Sequence, residues 1–298
     1  MKTIFPTDSS NDSLHQLVRE GYAKIAKDTA AGCCSPGVSC CGSAPADADK
    51  LAQQLGYTVE ELKALPEGAN MGLSCGNPAA LTALNRGETV LDLGSGGGFD
   101  VFIAGRKVGA TGRAVGVDMT PEMLGKARRN LAGYQKETGL NNVEFRLGEI
   151  EYLPVADNFV DVIISNCVIN LSPDKAQVWR EMARVLKPGG RVAVSDMALV
   201  KPLPPEVLKI VEALVGCVAG AALVSETERV AREAGLTEIT LKVKADYIEA
   251  MLNFEDPLYK KIIELLPAGA KLADYITSLE IQAVKPKGEC CGNGCCES

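Results

Sequence analysis

The chain has 298 residues, 46% of them hydrophobic, with a formal net charge of −7 and an isoelectric point near 5.0. That length and apolar content fit one large domain with appended pieces, and the acidity argues against nucleic acid or an anionic membrane surface as a partner. No run of 18 apolar residues occurs and the opening MKTIFPTDSSNDS lacks a signal-peptide core, so the expectation is a cytoplasmic protein with reduced thiols and no transmembrane helix.

Residues 12–30 read as an amphipathic helix, with Leu14, Leu17, Val18, Tyr22, Ile25 and Ala26 at helical spacing. This helix carries the single histidine, His15. The segment AGCCSPGVSCCGSAP has no periodicity and is expected to be irregular. Two short helices follow, the second announced by the capping box Thr58-x-x-Glu61. PEGANMGLSCGNP is a glycine-rich loop with Cys75 in it.

A regular alternation then begins. ETVLDLGSGGG predicts a buried strand entering a glycine turn, residues 99–108 a helix, and RAVGVD a second strand. Thr120 and Pro121 suit the N-cap and first position of a helix reaching about residue 138. NVEFRLG and FVDVIISNC are the third and fourth strands. Ser172-Pro173 is expected to open a helix that ends at the turn KPGG, before a fifth strand, RVAVSDM. Beyond residue 203 come helices, one carrying Cys217, and two further strands at 237–246 and 273–284 with a helix at 257–266 between them. The tail GECCGNGCCES has no core-forming content.

This order predicts an α/β fold: a Rossmann-like, mostly parallel seven-stranded sheet with helices on both faces, a helical N-terminal segment and a C-terminal α+β extension. The expected divisions are an N-terminal helical and Cys-rich segment (1–84), a ligand-binding core (85–200), C-terminal helices and strands completing the sheet and substrate site (201–287), and a flexible tail (288–298). Ligands of such sheets bind beyond the carboxyl ends of the strands, which puts Gly94–Gly98, Asp118, Glu149 and Cys167 on one rim.

The glycines Gly94, Gly96 and Gly98 allow a tight turn and close approach of backbone to a ligand, with Ser95 between them. Asp118, twenty residues beyond Gly98, is placed to accept from both hydroxyls of a ribose. A dinucleotide is the rival ligand. Against it, the third glycine of the dinucleotide fingerprint would fall at Phe99, and Asp92 just before the turn suits a cationic sulfonium better than a pyrophosphate. Glu149 is a candidate acceptor for an adenine amino group or else a solvated strand-end acid. Met119 lies against the adenine face or packs ordinarily.

Eleven cysteines accompany the one histidine. Thiols without imidazoles select soft, thiophilic partners. Eight form adjacent pairs, Cys33-Cys34, Cys40-Cys41, Cys290-Cys291 and Cys295-Cys296, in small-residue segments where two thiols can face one soft centre. Cys75, Cys167 and Cys217 stand alone.

LDLGSGGGFD, GVDMTPEML, RLGEIEYLPV and VLKPGG resemble the motifs of class I S-adenosylmethionine-dependent methyltransferases, over roughly residues 85–200. SCGNP, IISNCVINLSPDK and GCVAGA resemble, more narrowly, the arsenite methyltransferase family, from about residue 15 to 285. The resemblance implies S-adenosylmethionine as cofactor, held by Asp92, Gly94, Ser95, Gly96, Gly98, Asp118, Met119, Glu149, Ile150 and Asn166. It implies that Cys75, Cys167 and Cys217 bind arsenic(III), that a fourth cysteine from the N-terminal region takes part in early binding and redox recycling, and that a glutathione- or thioredoxin-type thiol serves as reductant. Cys33, Cys34, Cys40 and Cys41 all lie in the right neighbourhood for the fourth cysteine, and the Cys33-Cys34 doublet following the helix is favoured.

Chemically, arsenic(III) prefers three thiolates in a pyramid and keeps a lone pair, so methyl transfer to it needs positioning and no general base. Cys290, Cys291, Cys295 and Cys296 form either a metalloid-capturing tail or an accessory binding tail without catalytic consequence. Two alternatives stand beside this reading. One is a quinone-biosynthesis-type C- or O-methyltransferase, which asks for a base near the substrate while His15 sits in the N-terminal helix. The other is a non-catalytic thiol-rich metalloid-binding protein. A monomer acting on arsenite and methylated arsenicals is expected.

Overall fold

In the computed structural model, the residues described are 11–27, 34–35, 38–39, 45–209, 217–244, 248 and 257–287. The chain opens with α1 (Asn11–Lys27), which buries Val18, Ile25 and Ala26 along one stripe. Within the segment expected to be irregular, β1 (Cys34–Ser35) and β2 (Val38–Ser39) make a two-residue antiparallel pairing. Next come α2 (Pro45–Gln54), α3 (Val59–Lys63) and α4 (Pro78–Leu81). The capping box at α3 forms as expected: Glu61 N donates to Thr58 Oγ1 at 3.1 Å and Thr58 N donates to Glu61 Oε2 at 2.9 Å.

The core elements are β3 (Thr89–Leu93), α5 (Phe99–Val108), β4 (Arg113–Asp118), α6 (Pro121–Thr138), β5 (Val143–Leu147), β6 (Val160–Asn166), α7 (Lys175–Val185) and β7 (Leu186–Leu199). After these come β8 (Ala222–Leu223), α8 (Val224–Glu233), β9 (Thr237–Lys244), α9 (Pro257–Glu264) and β10 (Ile276–Val284). The sheet order is β5-β4-β3-β6-β7-β10-β9, with the short β8 paired to β7. From β5 to β7 all pairs are parallel, and β10 enters antiparallel between β7 and β9. The sheet is therefore the expected seven-stranded, mostly parallel one plus a two-residue strand.

The parallel strands are buried on both faces, which explains their unbroken apolar runs. Leu91, Leu93 and Ile163 meet Trp179 and Met182 of α7 on one face. Val90, Val162 and Ile164 meet Phe102 of α5 and Tyr134 of α6 on the other. A third cluster joins α1, the end of β7 and the C-terminal part, and contains Val18, Met197, Leu258, Tyr259, Cys75 and Cys217. Among the described residues no helix is long and apolar enough to cross a membrane.

Three boundaries differ from the sequence reading. The helix α7 starts at Lys175, because Asp174 and not Ser172 caps it: Gln177 N donates to Asp174 Oδ1 at 2.9 Å, while the Ser172 hydroxyl donates to Glu151. The KPGG segment is not a turn between elements but lies inside β7. Gly189 N donates to Lys285 O at 2.9 Å and Lys285 N to Gly190 O at 2.8 Å, and the extra residues are absorbed where the β6–β7 register shifts. Cys217 sits in a turn and not in a helix, and residues 210–216 lie outside the described residues.

The first parallel strands diverge from β3: the chain runs to β4 and β5 on one side and later to β6 and β7 on the other. A crevice is left beyond the carboxyl end of β3 at this reversal. Gly98 caps α5 just behind it. Its φ is +91°, and a Cβ there would stand 2.7 Å from Phe102 and from Phe145. Gly98→Ala adds left-handed strain to overpacking and is expected to lower unfolding stability by about 2–4 kcal/mol, read by denaturant titration.

Candidate active site

The crevice is a cleft with an empty volume of about 980 Å³. Its base is the ends of three parallel strands and its glycine turn. Asp92 lies near the end of β3, Asp100 in the first turn of α5 and Asp118 at the end of β4, and all three line the cleft. Three carboxylates in one partly dry volume repel each other, and burial penalises their ionised forms further. Asp92 is held well above the usual carboxylate range by burial, then by Asp100 and Asp118. Asp100 is pushed up to about 6, chiefly by burial. Asp118 is raised by burial, although Gly96 N (2.9 Å) and Thr120 N (2.8 Å) donate to it and oppose the rise. Such a cleft favours a cationic occupant. Ser95 Oγ, buried in the same wall, has no hydrogen-bond partner among the described residues and can serve a ligand.

The turn itself is forced by close approach. Gly94 has φ +67°, and a Cβ on it would run into the Val168 side chain. Phe99, which occupies the place of the third fingerprint glycine, is buried and packs edge-on against Tyr57, with ring centroids 4.7 Å apart. Of the residues expected to hold a cofactor, Asp92, Gly94, Ser95, Gly96, Asp118, Met119, Ile150 and Asn166 line the cleft. Gly98 lies behind it as the N-cap of α5. Glu149 is turned outward to Arg19, 3.0 Å away, and its neighbours Gly148, Ile150 and Glu151 line the cleft instead.

The fourth wall is α1, which contributes His15, Val18 and Tyr22. His15 is therefore at the cleft and not remote from it. The helix's sequence position hid this, because 136 residues separate His15 from its buried partner Glu151, 3.1 Å away. Glu149 stands 3.6 Å from the other ring nitrogen. The absence of a nearby imidazole is thus no argument against substrates that need a base.

Two of the solitary cysteines meet at the wall of the cleft, and the third is hydrogen-bonded to one of them. Cys167 follows β6 and lines the cleft, while Cys75 is buried behind it. The two are joined as a disulfide, Cα to Cα 6.0 Å, across 92 residues of sequence. The reduced-thiol expectation does not hold for this pair: the convergence that could place two sulfurs on one soft atom also places them within bonding reach. Cys217 remains a thiol and donates to the Cys167 carbonyl at 2.9 Å. Asp196 lies with the Cys75 and Cys167 sulfurs inside a 4.8 Å cluster of potential ligands, a cluster that does not include Cys217. Cys34 lies in β1, and Cys33, Cys40, Cys41, Cys290, Cys291, Cys295 and Cys296 lie outside the described residues.

Cys167 and Cys217 share a further property. Their φ angles are +54° and +61°, in the left-handed region that non-glycine residues rarely occupy. Backbone held this way is costly and collects at functional sites. Sequence reasoning missed Tyr57, Asp100, Glu151 and Asp196. The signal was present for Asp100, adjacent to the glycine turn in GGGFD, but an acid in a first helical turn reads by default as a solvated partner of the helix dipole.

A methyltransferase-domain family model matches residues 84–235. An arsenite methyltransferase of Halobacterium salinarum is 42% identical over 283 residues, 94% of this chain and 68% of that protein. One from Aquipseudomonas alcaligenes is 39% identical over 76% of this chain, which spans 62% of that protein's length. Among solved structures, an arsenic(III) S-adenosylmethionine methyltransferase from Chlamydomonas reinhardtii superposes with a TM-score of 0.60 at 33% identity, over 80% of this chain and 74% of that one.

The left-handed backbone gives a stability test. Under reducing conditions Cys167→Gly is expected to exceed Cys167→Ala in unfolding free energy by about 1 kcal/mol, because glycine adopts this φ without a Cβ penalty. Equal denaturation midpoints would show that the strained φ is not held in solution.

Proposed function

The chain belongs to the arsenite methyltransferase family, and on that footing we propose that it transfers methyl groups from S-adenosylmethionine to trivalent arsenic bound by cysteine thiolates, a detoxifying reaction. The observation that carries this reading is the joining of Cys75 to Cys167 at the wall of an acid-lined cleft, with the Cys217 thiol hydrogen-bonded to Cys167. When bound, S-adenosylmethionine supplies an electrophilic methyl group on a cationic sulfur. Asp92, Asp100 and Asp118 suit that cation, Asp118 also suits the ribose hydroxyls, and the unpartnered Ser95 Oγ offers a further polar contact.

The cysteines' part is to hold the metalloid with its lone pair directed into the cleft. Cys167 both lines the cleft and touches the other two, by its disulfide to Cys75 and by its carbonyl to the Cys217 thiol. Methylating the lone pair raises arsenic formally from the trivalent to the pentavalent state. Two electrons from a pair of thiols return it, leaving a disulfide. Reduction by a small thiol or a thioredoxin-type protein then restores the site, which makes such a reductant part of the proposal. A cytoplasmic monomer, divided at residues 84, 200 and 287 as read from the sequence, completes it.

The deciding assay incubates the phosphine-reduced protein with labelled S-adenosylmethionine and either arsenite or a quinol. Methylated arsenic is expected from the first, with at least a hundredfold loss in Cys167→Ser and Cys217→Ser. A methylated quinol, or stoichiometric arsenite binding without methylated product, would overturn the reading.

The raised carboxylates give a pH dependence. A cation binds the ionised form of Asp100, so its affinity is full above the folded pKa of about 6 and is lost as pH falls through it. The dissociation constant of S-adenosylmethionine, measured calorimetrically without arsenite, is expected to rise roughly tenfold between pH 7.5 and 5. S-adenosylhomocysteine, whose sulfur is neutral, should change much less.

A further inference from the structure

One side chain touches both halves of the site. Asn166, at the end of β6, lines the cleft, and its amide group clasps the loop that carries Cys75. Its Oδ1 accepts from Cys75 N at 3.0 Å and lies 3.6 Å from Cys75 Sγ, and its Nδ2 donates to Gly76 O at 2.9 Å. The amide thus pairs with the Cys75–Gly76 backbone as a neighbouring strand would. Reversing it would set an N–H against an N–H, so the network fixes its orientation.

The same Nδ2 reaches toward the acid cluster. It stands 3.3 Å from Asp100 Oδ2 and 3.2 Å from the Tyr57 hydroxyl. Tyr57 has one hydrogen and two acceptors within range, Asp100 Oδ1 at 2.8 Å and Gly76 O at 3.1 Å. Burial, with Asp100 second, pushes the phenol well above its usual range, so it stays a donor. While Asp100 carries its charge, it draws the Tyr57 hydrogen and leaves the Gly76 carbonyl to Asn166. When Asp100 is neutral that pull weakens, its hold on Asn166 Nδ2 weakens as well, and the amide that clasps the loop is less firmly anchored. The Cys75 loop is gripped more tightly in the first case. The rest of the loop is fixed, with Ser278 Oγ donating to Cys75 O at 2.9 Å, so the change is concentrated on the amide clasp.

We propose that Asn166, with Tyr57 and Asp100, is a positioning device that couples positive charge in the cofactor cleft to the readiness of Cys75 to bind the metalloid. A cationic cofactor holds Asp100 ionised and the Cys75 loop in its gripped form, so arsenite binds more tightly beside it. The neutral thioether left after methyl transfer withdraws that support, which favours release or re-equilibration of the methylated product. The inference rests on the arsenite methyltransferase reading of the site.

The test measures arsenite binding by calorimetry to the full chain, pre-reduced with a phosphine that is then removed. It is run with the cleft empty, with sinefungin as a cationic analogue that transfers no methyl group, and with S-adenosylhomocysteine. At pH 5, where Asp100 with a pKa of about 6 is mostly protonated unless a cation holds it ionised, wild-type protein is expected to bind arsenite about 5- to 10-fold more tightly with sinefungin than with S-adenosylhomocysteine. In Asp100→Asn and Tyr57→Phe, which keep side-chain shape, that ratio should fall to about one, even where arsenite still binds the empty protein. A purely structural role would weaken binding equally in all three conditions and leave the ratio intact, which would overturn the proposal, as would a wild-type ratio of one. Failure of wild-type protein to bind arsenite at all would instead overturn the reading of the site, and the coupling with it.

Discussion

The molecule is organised around a repulsion. Asp92, Asp100 and Asp118 are brought together by three separate element ends, the first two buried and the third half-buried, with no lysine or arginine among the residues lining their cleft. In water such acids would ionise freely; here each is pushed toward its neutral form. The fold tolerates this because the parallel sheet beneath them is covered by apolar helices on both faces. The energy held in the crowded carboxylates is what a cationic ligand releases, so stability given up at the rim becomes affinity at the same place.

The remaining parts of the site follow from how that cleft is walled. α1 and the loop at 69–74 are walls not supplied by the central α/β core, and α1 is held by charge as well as packing. His15 meets Glu151, Arg19 meets Glu149 and Lys27 meets Glu122. The last two pairs are substantially exposed and contribute little, whereas Val18, fully buried, anchors the helix to the cluster that also contains Cys75 and Cys217. The N-terminal helix therefore seats the cofactor wall and the cysteine floor in one packing event.

How much of this was legible in the sequence depends on range. Features written in consecutive residues read correctly: the Thr58 capping box, the helix at 99–108, the strand RAVGVD and the glycine turn. The class of the fold followed from the unbroken apolar strands. What failed were decisions between local alternatives settled by distant partners. Ser172 looked like a cap but gives its hydroxyl to Glu151, and KPGG looked like a turn but is held in the sheet by Lys285. The acids divided in the same way. Asp118, placed by its spacing from the glycines, lines the cleft, whereas Glu149 and Glu151 differ by two residues and only the packing of α1 sorts outward from inward. Cysteine convergence was legible as a count of solitary thiols, but a disulfide between residues 75 and 167 was not, because its geometry is set by the sheet and not by the chain between them.

That disulfide closes a loop of 92 residues. By chain entropy alone such a cross-link removes enough freedom from the unfolded chain to stabilise the folded one by about 4–5 kcal/mol. The oxidised protein, whose two sulfurs are occupied with each other, is then the sturdier form, and the reduced form, the one proposed to take up a metalloid, is the more fragile one. Purification steps or ligand screens that select for heat resistance will enrich the oxidised state, which the proposed reaction cannot use. For this chain robustness and competence are opposite ends of one redox equilibrium.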